Sequence, residues 1–439
     1  MSGAHTPALE RAPSPASAGH AREAARRSAG YQTWLVLLLS LNFGILFFDR
    51  NALNFLMPFV QPDLGLSNTQ VGVLSSALSL TWAISGFVVG RISDRLGSRK
   101  PVLVVATLGF CACSFVSGVA HSFLMLLGAR LLMGAAEGGV MPISHAMVVS
   151  EVAPKQRGMA MGAAQNLGSN LLGSALAPLV LVPIALALGW RTGFYMAALP
   201  GIVSAALIWF TLREPPRAIH EPQGTSPSAP PAPGPMPTLG EALRHRNVVL
   251  CALIAILLVS YLVICWAFMP LYLTQARGLT PGAMSGLMAT LGVSAGLGSF
   301  LVPAISDAIG RRPTFVATAL AGLMLPLGAL YFEGPLPVLG ALFFFGWSLN
   351  GIFPLFMATV PAESVDPRLT ATLTGVVMGT GEILGGVFGP LLAGAAADGF
   401  GLAAPLWIMA ALALGACLLA LGLIETAPRI VASRTRAKA

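Results

Sequence analysis

Long apolar stretches, separated by short polar or glycine-containing connections, occupy most of this 439-residue chain. A transmembrane α-helix needs roughly 20 predominantly apolar residues, because every backbone polar group in lipid has to be satisfied inside the helix. The pattern therefore predicts an all-α membrane protein with twelve transmembrane helices. The predicted spans are residues 31–60, 68–90, 101–119, 122–150, 157–187, 191–212, 248–276, 280–305, 313–332, 335–360, 370–398 and 401–424.

The composition supports the bilayer as the solvent of this protein. Hydrophobic residues make up 55% of the chain and charged residues only 10%, whereas a soluble protein carries about 25% charged residues. Too few polar side chains are present to cover a water-soluble fold of this size. The composition therefore excludes a soluble globular protein.

Short motifs of the first half recur in the second half, which indicates an internal duplication. Ser93–Gly97 (SDRLG) recurs as Ser306–Gly310 (SDAIG), and Pro178 recurs as Pro390. Duplicated halves are typical of transporters, whose binding site lies between the repeats. The sequence predicts two pseudo-symmetric six-helix bundles. Its predicted parts are an N-terminal tail (1–30), the first bundle (31–212), a Pro-, Ser- and Gly-rich linker (213–247), the second bundle (248–424) and a C-terminal tail (425–439).

The net charge of +8 is explained by topology. Basic residues cluster in the loop Gly90–Lys100, on both sides of the linker and in the C-terminal tail, whereas the opposite helix ends carry few. The positive-inside rule then assigns both termini and the linker to the cytoplasm. We expect a monomeric, multi-pass protein of the inner (plasma) membrane, with the lipid bilayer but no nucleic acid among its partners. The first 30 residues lack the apolar core of a cleavable signal peptide.

The sequence gives no sign of a metal, a cofactor or an enzymatic reaction. All five cysteines lie inside predicted spans, without a CxxC pair or a Cys/His cluster, so we expect them to be buried apolar side chains. Nucleotide-binding loops, nucleophile elbows and zinc-helix motifs are absent from the sequence. We therefore expect no cofactor, no ATP-driven step and no enzyme activity.

Ionisable residues within the spans are the first candidates for function, because a charge in the bilayer core is costly. Asp49 and Arg50 lie in span one, Arg130 and Glu137 in span four, and Glu382 in span eleven. Adjacent helical residues point about 100° apart, so Asp49 and Arg50 cannot easily pair. We expect Asp49 to meet Arg130 across the helix interface, and Arg50 to face a central cavity without an acidic partner.

A buried guanidinium without a protein partner favours a carboxylate ligand, which it can hold through two parallel hydrogen bonds. Glu137 lies two turns below Arg130 on nearly the same helical face, and at this depth its carboxyl group can carry a proton. In a second interpretation, Asp49, Arg50, Arg130 and Glu137 form a closed ionic network that only orients two helices. Their formal charge balance favours that interpretation, whereas their cost in lipid favours function.

Three segments resemble motifs of the major facilitator superfamily. Gly90–Lys100 resembles its signature loop, Arg130–Gly134 resembles its fourth-helix motif, and the glycine and proline pattern of Gly162–Pro178 resembles its fifth-helix motif. The resemblance covers nearly the whole chain. It implies the major facilitator fold, with twelve helices in two bundles.

Within that superfamily, Phe48–Leu53 (FDRNAL) together with Arg130 and Glu137 is similar to the anion:cation symporter family. Members of that family transport sugar acids, sialic acid and other organic anions. The resemblance implies that Arg50 holds the substrate carboxylate. It also implies that Asp49 and Glu137 couple transport to protons, with Arg130 as the partner that responds to their protonation.

The predicted binding site takes further polar and aromatic groups from both halves. The resemblance implies substrate contacts for Gln165 in span five and Asn350 in span ten; contact with a neighbouring helix is the alternative for both. Tyr261 and Trp266 are the candidates in span seven. Because the second half offers few polar groups and Phe47 precedes the charged pair, the lining favours a more apolar acid over a sugar acid.

Four further residues are candidates for gating or structure. Asp94 and Arg95 in the first loop motif, and Asp307 in its second copy, fit a charge latch in which an acid bonds a helix N-terminus or an arginine. The alternative is an ordinary loop that acts as a topological stop signal. Glu382 fits a gate, an acid bonded to a neighbour or a second proton site.

These features predict proton-coupled symport of a small organic anion by alternating access of the two bundles. The anion is a monocarboxylate, a sugar acid or an aromatic acid. One alternative is an organic-anion antiporter or exporter, in which no proton enters. Another is a nutrient sensor that binds the anion without moving it, although the linker and the C-terminal tail offer no output domain.

Overall fold

The computed structural model describes residues 29–153, 156–215, 239–366 and 369–432; most of both tails and the middle of the linker lie outside these ranges. Twelve helices of the described residues are long and apolar enough to cross a membrane, which confirms the predicted all-α fold. A short helix, Leu239–Leu243, precedes the seventh. The twelve are α1 (Gly30–Leu64), α2 (Asn68–Ser93), α3 (Lys100–Gly118), α4 (Phe123–Glu151), α5 (Arg157–Leu188), α6 (Trp190–Thr211), α7 (Arg246–Ala276), α8 (Pro281–Ile309), α9 (Arg311–Tyr331), α10 (Leu336–Ser364), α11 (Thr372–Phe400) and α12 (Ala403–Leu421).

Helix ends fall where the sequence supplies capping groups. At the start of α2, Gln70 N donates to Ser67 Oγ at 3.1 Å and Ser67 N donates to Gln70 Oε1 at 3.0 Å, which makes a capping box. Thr280 caps α8, since Ala283 N donates to its hydroxyl oxygen at 3.2 Å. Gly97 ends the turn after α2 with a φ of 61°, a left-handed conformation that glycine adopts without strain.

In each half, an acid that follows the sixth helix holds the N-terminus of the third. Glu214 accepts a hydrogen bond from the backbone N–H of Arg99 at 2.5 Å, where α3 begins. Glu425 accepts one from the backbone N–H of Arg311 at 2.7 Å, where α9 begins. A carboxylate at this position is favoured by the helix dipole. The duplicated sequence thus builds the same contact twice.

The second loop motif takes part in an ion-pair network. Nη1 of Arg311 lies 2.6 Å from Oδ1 of Asp307, and Nη2 lies 2.7 Å from Oε1 of Glu363. All three residues belong to the second half, so this network ties α8, α9 and α10 together and does not cross between halves. In the first motif Arg95 is exposed, and the side chain of Asp94 lies outside the described residues.

The two halves contact each other at one end of the molecule. We call the end where α6 stops and α7 begins the linker end, and the opposite end the distal end. At the distal end, Asp398 of α11 accepts hydrogen bonds from the backbone N–H groups of Asn68 at 2.9 Å and Thr69 at 2.8 Å, the first residues of α2. Phe55 of α1 packs edge-on against Trp266 of α7 with ring centroids 5.8 Å apart. These contacts close the distal end.

Small residues permit the close approach of α2 and α11. Gly72 faces the carbonyl group of Pro390, and a β-carbon there would overlap the facing backbone. Ser76 adds a hydrogen bond from its hydroxyl group to the carbonyl oxygen of Val387 at 2.6 Å. Close packing and interhelical hydrogen bonds drive helix association in membranes, so this interface is built to hold the halves together.

Replacement of Asp398 by alanine should loosen the distal end. Its carboxylate also accepts a hydrogen bond from the Thr69 hydroxyl group at 2.6 Å. Loss of these exposed bonds should cost about 1 kcal/mol, which corresponds to a shift of about fivefold in the ratio of open to closed molecules. The measurement is the labelling rate of Asn54→Cys, in a background without the native cysteines, by an impermeant maleimide added from the distal side.

Asp63→Ala is the matched control for this prediction. Asp63 also lies at the distal end and pairs with Arg191 at 2.9 Å, but both residues belong to the first half. The control should leave the labelling rate of the cysteine unchanged. An equal rise in both variants, or no rise in Asp398→Ala, would show that the Asp398 carboxylate does not hold the halves together.

Candidate functional site

A cavity of about 450 Å³ lies between the two halves. Helices α1, α2, α4 and α5 form one side of its wall, and α7, α8, α10 and α11 form the other. The wall extends to Thr374, the third residue of α11, so the cavity opens toward the linker end. The contacts of Asp398 and Phe55 close it from the distal end. Its volume suits a small organic molecule.

Irregular helical turns shape the cavity wall. π-Helical turns interrupt α5, α10 and α11, and a 3₁₀ turn also interrupts α10. Such turns change the rotation of the side chains around the helix axis and often occur at functional sites. They carry the polar wall residues Gln165 and Ser169 in α5, Asn350 in α10 and Glu382 in α11. The turns span Ala163–Leu167, Ser169–Leu176, Ser348–Ile352, Leu355–Thr359 and Gly381–Gly385.

Arg50 of α1 presents its guanidinium group to the cavity. The side chain is 17% exposed, and Nη1 lies 4.0 Å from Oε2 of the buried Glu137. The guanidinium carbon lies 5.6 Å and 5.3 Å from the ring centroids of Phe47 and Trp82, within the range of cation–π attraction. Within the described part of the chain, no group accepts a hydrogen bond from this side chain. Arg50 therefore has an acidic neighbour, as in the second interpretation of the charged residues and not in the first, but its N–H donors remain free.

Two buried acids lie close to Arg50. Both carboxylate oxygens of Glu137 and Oδ2 of Asp49 are without a hydrogen-bond partner among the described residues. Oδ1 of Asp49 accepts a hydrogen bond from the hydroxyl group of Ser114 in α3. Nη1 of Arg130 donates to the backbone carbonyl oxygen of Arg50 at 3.1 Å. The predicted contact between Asp49 and Arg130 is therefore wrong for this conformation, because Asp49 points toward α3.

Ser114 belongs to this charged cluster, but the distribution of charged residues in the sequence does not point to it. A single hydroxyl group in an apolar span is inexpensive, since it can bond a carbonyl group of its own helix. It therefore gives no signal in the sequence. Only the packing of α3 against α1, which brings Ser114 to Asp49, shows that this hydroxyl group belongs to the charged cluster.

The predicted substrate-binding residues separate into two groups. Gln165, Asn350 and Trp266 line the cavity together with Arg50. Tyr261 instead is 1% exposed, and its hydroxyl group donates to the carbonyl oxygen of Gly322 in α9 at 2.7 Å. Tyr261 precedes Trp266 by five residues, so it points about 140° away around α7. Its predicted role in substrate binding is corrected to a structural contact between α7 and α9.

Tyr261→Phe should therefore leave transport unchanged and lower stability. The substitution removes the donor to a buried carbonyl oxygen, which should cost about 1 kcal/mol in the free energy of unfolding. Thermal unfolding of the purified protein and substrate uptake, measured on the same preparation, check the two parts. A folded Tyr261→Phe protein that fails to transport would return Tyr261 to the binding site.

Comparison with known proteins assigns the chain to a family. Residues 39–384 match the model of the Major Facilitator Superfamily. The chain belongs to this superfamily. Membership confirms the resemblance found in the sequence motifs, and it confirms that the protein is a membrane transporter and not an enzyme.

Several relatives have been named for what they transport. The chain is 33% identical to the hexuronate transporter of Bacillus subtilis (strain 168) over 257 residues, which cover 57% of this chain and 58% of that protein. It is 27% identical to the D-galactonate transporter of Escherichia coli O6:H1 over 397 residues, 84% of this chain and 90% of that protein. It is 29% identical to the gallate transporter of Pseudomonas putida over 413 residues, which cover 87% of this chain and 89% of that protein. The match thus spans less than two thirds of the first relative and most of the other two.

A solved structure shares the fold. A bacterial homologue of the human lysosomal transporter Spinster, in an inward-facing and occupied conformation, superposes with a TM-score of 0.72. The alignment covers 93% of this chain and 98% of that one at 19% identity. At this identity the likeness concerns the fold alone.

Proposed function

We propose that this superfamily member is a symporter that carries a small organic anion together with protons across the inner membrane. The observation that carries the proposal is Arg50, whose guanidinium group faces the cavity between the halves while its N–H donors remain unused. A carboxylate is the ligand that suits such a group best, because two parallel charge-assisted hydrogen bonds match its geometry. In this proposal the substrate supplies the close acceptor that the protein does not.

The relatives support a hydroxylated carboxylate as substrate. Hexuronates, D-galactonate and gallate are all carboxylates that carry several hydroxyl groups. The cavity combines the aromatic rings of Trp82 and Trp266 with the amide groups of Gln165 and Asn350. The rings suit the flat or C–H face of such a molecule, and the amide groups suit its hydroxyl groups. The proposed class covers both the sugar acids and the aromatic acids that the sequence predicted.

Asp49 and Glu137 are the proposed proton carriers. Both are buried, and three of their four carboxylate oxygens have no hydrogen-bond partner among the described residues. An anion buried without donors is costly, and a bound proton removes that cost. Protonation of Glu137 would also free Arg50 from its acidic neighbour, so that proton binding and substrate binding favour each other. Arg130, which holds the backbone of Arg50, would respond to both events.

The distribution of contacts supports alternating access. The cavity is open toward the linker end and closed at the distal end. Under the positive-inside prediction the linker end is cytoplasmic, so this conformation is the inward-open one of the proposed cycle. The outward-open conformation would require the bonds of Asp398 to Asn68 and Thr69 to break, while α4 and α5 close against α10 and α11 at the linker end.

Uptake into proteoliposomes tests the proposal. Labelled D-galactonate, D-glucuronate and gallate are offered to vesicles under an inward proton gradient, with empty vesicles as control. Accumulation above equilibrium that a protonophore abolishes would support symport. Exchange against internal substrate without any response to the gradient would instead identify an antiporter, and binding without flux would identify a sensor. Absence of both binding and uptake for all three acids, with folded protein, would overturn the proposal.

A further inference from the structure

Glu382 of α11 lines the same cavity as Arg50, from the opposite half. Among the described residues, Arg50 makes its ion pair with Glu137 and not with Glu382. A cation and an acid therefore face one cavity with space between them.

The carboxyl group of Glu382 has no protein donor within the described ranges. A β-carbon added to Gly386 would meet Oε2 of Glu382 at 3.4 Å and Oγ of Ser79 at 3.4 Å, so the absent side chain at Gly386 leaves room for the carboxyl group beside α2. Glu382 is partly exposed in the cavity, so water can donate to its carboxylate while no ligand is bound. A ligand that displaces this water has to supply a donor in its place.

Aromatic rings also line the cavity that these two groups share. Trp82 lies against the guanidinium group of Arg50. Trp266 and Trp347, from the second half, pack edge to face with ring centroids 5.2 Å apart, and both line the cavity. A ligand in this cavity thus meets aromatic rings as well as the charged groups of Arg50 and Glu382.

We propose that Glu382 is a specificity-determining residue that accepts a hydrogen bond from a substrate hydroxyl group while Arg50 holds the substrate carboxylate. The inference rests on the proposed function. It adds the requirement that the substrate carry a hydrogen-bond donor at a distance from its carboxylate group. Sugar acids and phenolic acids share this chemistry. Because Arg50 and Glu382 belong to different halves, a ligand bound to both also bridges the halves.

Equilibrium binding of two matched ligand pairs to the purified protein tests the role of Glu382. Benzoate and 4-hydroxybenzoate differ by one phenolic hydroxyl group; D-galactonate and its 6-deoxy derivative differ by one terminal hydroxyl group. A hydrogen bond to a charged acceptor corresponds to a factor of about ten in Kd. In at least one pair the hydroxylated member should bind about tenfold more tightly to the wild-type protein, and the pair that responds identifies the phenolic or the sugar acid.

Glu382→Ala should abolish this preference without weakening the deoxy ligand, because the variant removes the acceptor and leaves Arg50 in place. Glu382→Gln keeps the shape and one acceptor oxygen, so its preference should fall to about threefold. Glu333→Gln, an exposed residue outside the cavity, makes the same chemical change and should keep the full preference.

The outcomes separate this inference from the proposed function. A preference for hydroxylated ligands that survives in both Glu382 variants, while Arg50→Ala still abolishes binding, would overturn the inference and leave the proposed function standing. No measurable binding of any of the four acids to folded wild-type protein would overturn both. A fall of the preference to about threefold in Glu382→Gln would support the inference even if Glu382→Ala failed to fold.

Discussion

Arg50→Ala should raise the Kd of a carboxylate substrate by about 100-fold and reduce uptake to the level of empty vesicles. Arg50 carries the guanidinium group that reaches the cavity, with its side chain 17% exposed, whereas Arg130 is 2% exposed and bonded to the backbone of Arg50. Without Arg50, the cation left in the cavity wall is Arg130, which is almost fully buried and bonded to the backbone at position 50, so an entering carboxylate would lose its hydration without a freely accessible guanidinium group. The measurement is equilibrium binding to purified protein, followed by uptake into proteoliposomes.

Arg50→Lys separates charge from geometry at this position. Lysine keeps the positive charge but lacks the planar pair of N–H donors, so we expect it to restore only part of the affinity, with a Kd about tenfold weaker than wild type. Arg191→Ala is the control, because it removes a partly exposed arginine at the distal end whose partner, Asp63, belongs to the same half. Wild-type affinity in a folded Arg50→Ala protein would remove Arg50 from the binding site.

Glu137→Gln should retain exchange of substrate between the two sides of the membrane and lose accumulation driven by a proton gradient. Glutamine has nearly the same shape as glutamate but cannot take up a proton at this position. A gradient of one pH unit can support about tenfold accumulation for each coupled proton. We expect this ratio to fall to about one in the variant if Glu137 carries that proton. Counterflow and gradient-driven uptake in the same vesicles measure the two properties separately.

Asp63→Asn is the matched control for Glu137→Gln, because it neutralises an acid outside the cavity. It should keep both exchange and accumulation. Gradient-driven accumulation that persists in Glu137→Gln would rule out Glu137 as the coupling residue and shift attention to Asp49. Loss of exchange as well as accumulation would indicate that Glu137 is needed to position Arg50, its neighbour at 4.0 Å, rather than to carry protons.

Much of the architecture follows from local properties that the sequence displays directly. Span length and apolar content are sufficient to predict a transmembrane helix, because the backbone of such a segment can satisfy its hydrogen bonds only within the helix. Arg50 lines the central cavity, because a charged side chain within a span is costly in contact with lipid. Gln165, Asn350 and Trp266 line the same cavity.

The sequence by itself therefore determined three properties of this protein. These are the segments that cross the membrane, their arrangement in two related halves, and the side chains that are too polar to face lipid. Only the tertiary structure decided which way each of these side chains points. Neighbouring residues differ by about 100° around a helix, and one irregular turn changes that rotation. Packing between helices set these rotations: it brought Asp49 to Ser114, turned Tyr261 toward Gly322 and put Glu382 in the cavity that Arg50 faces.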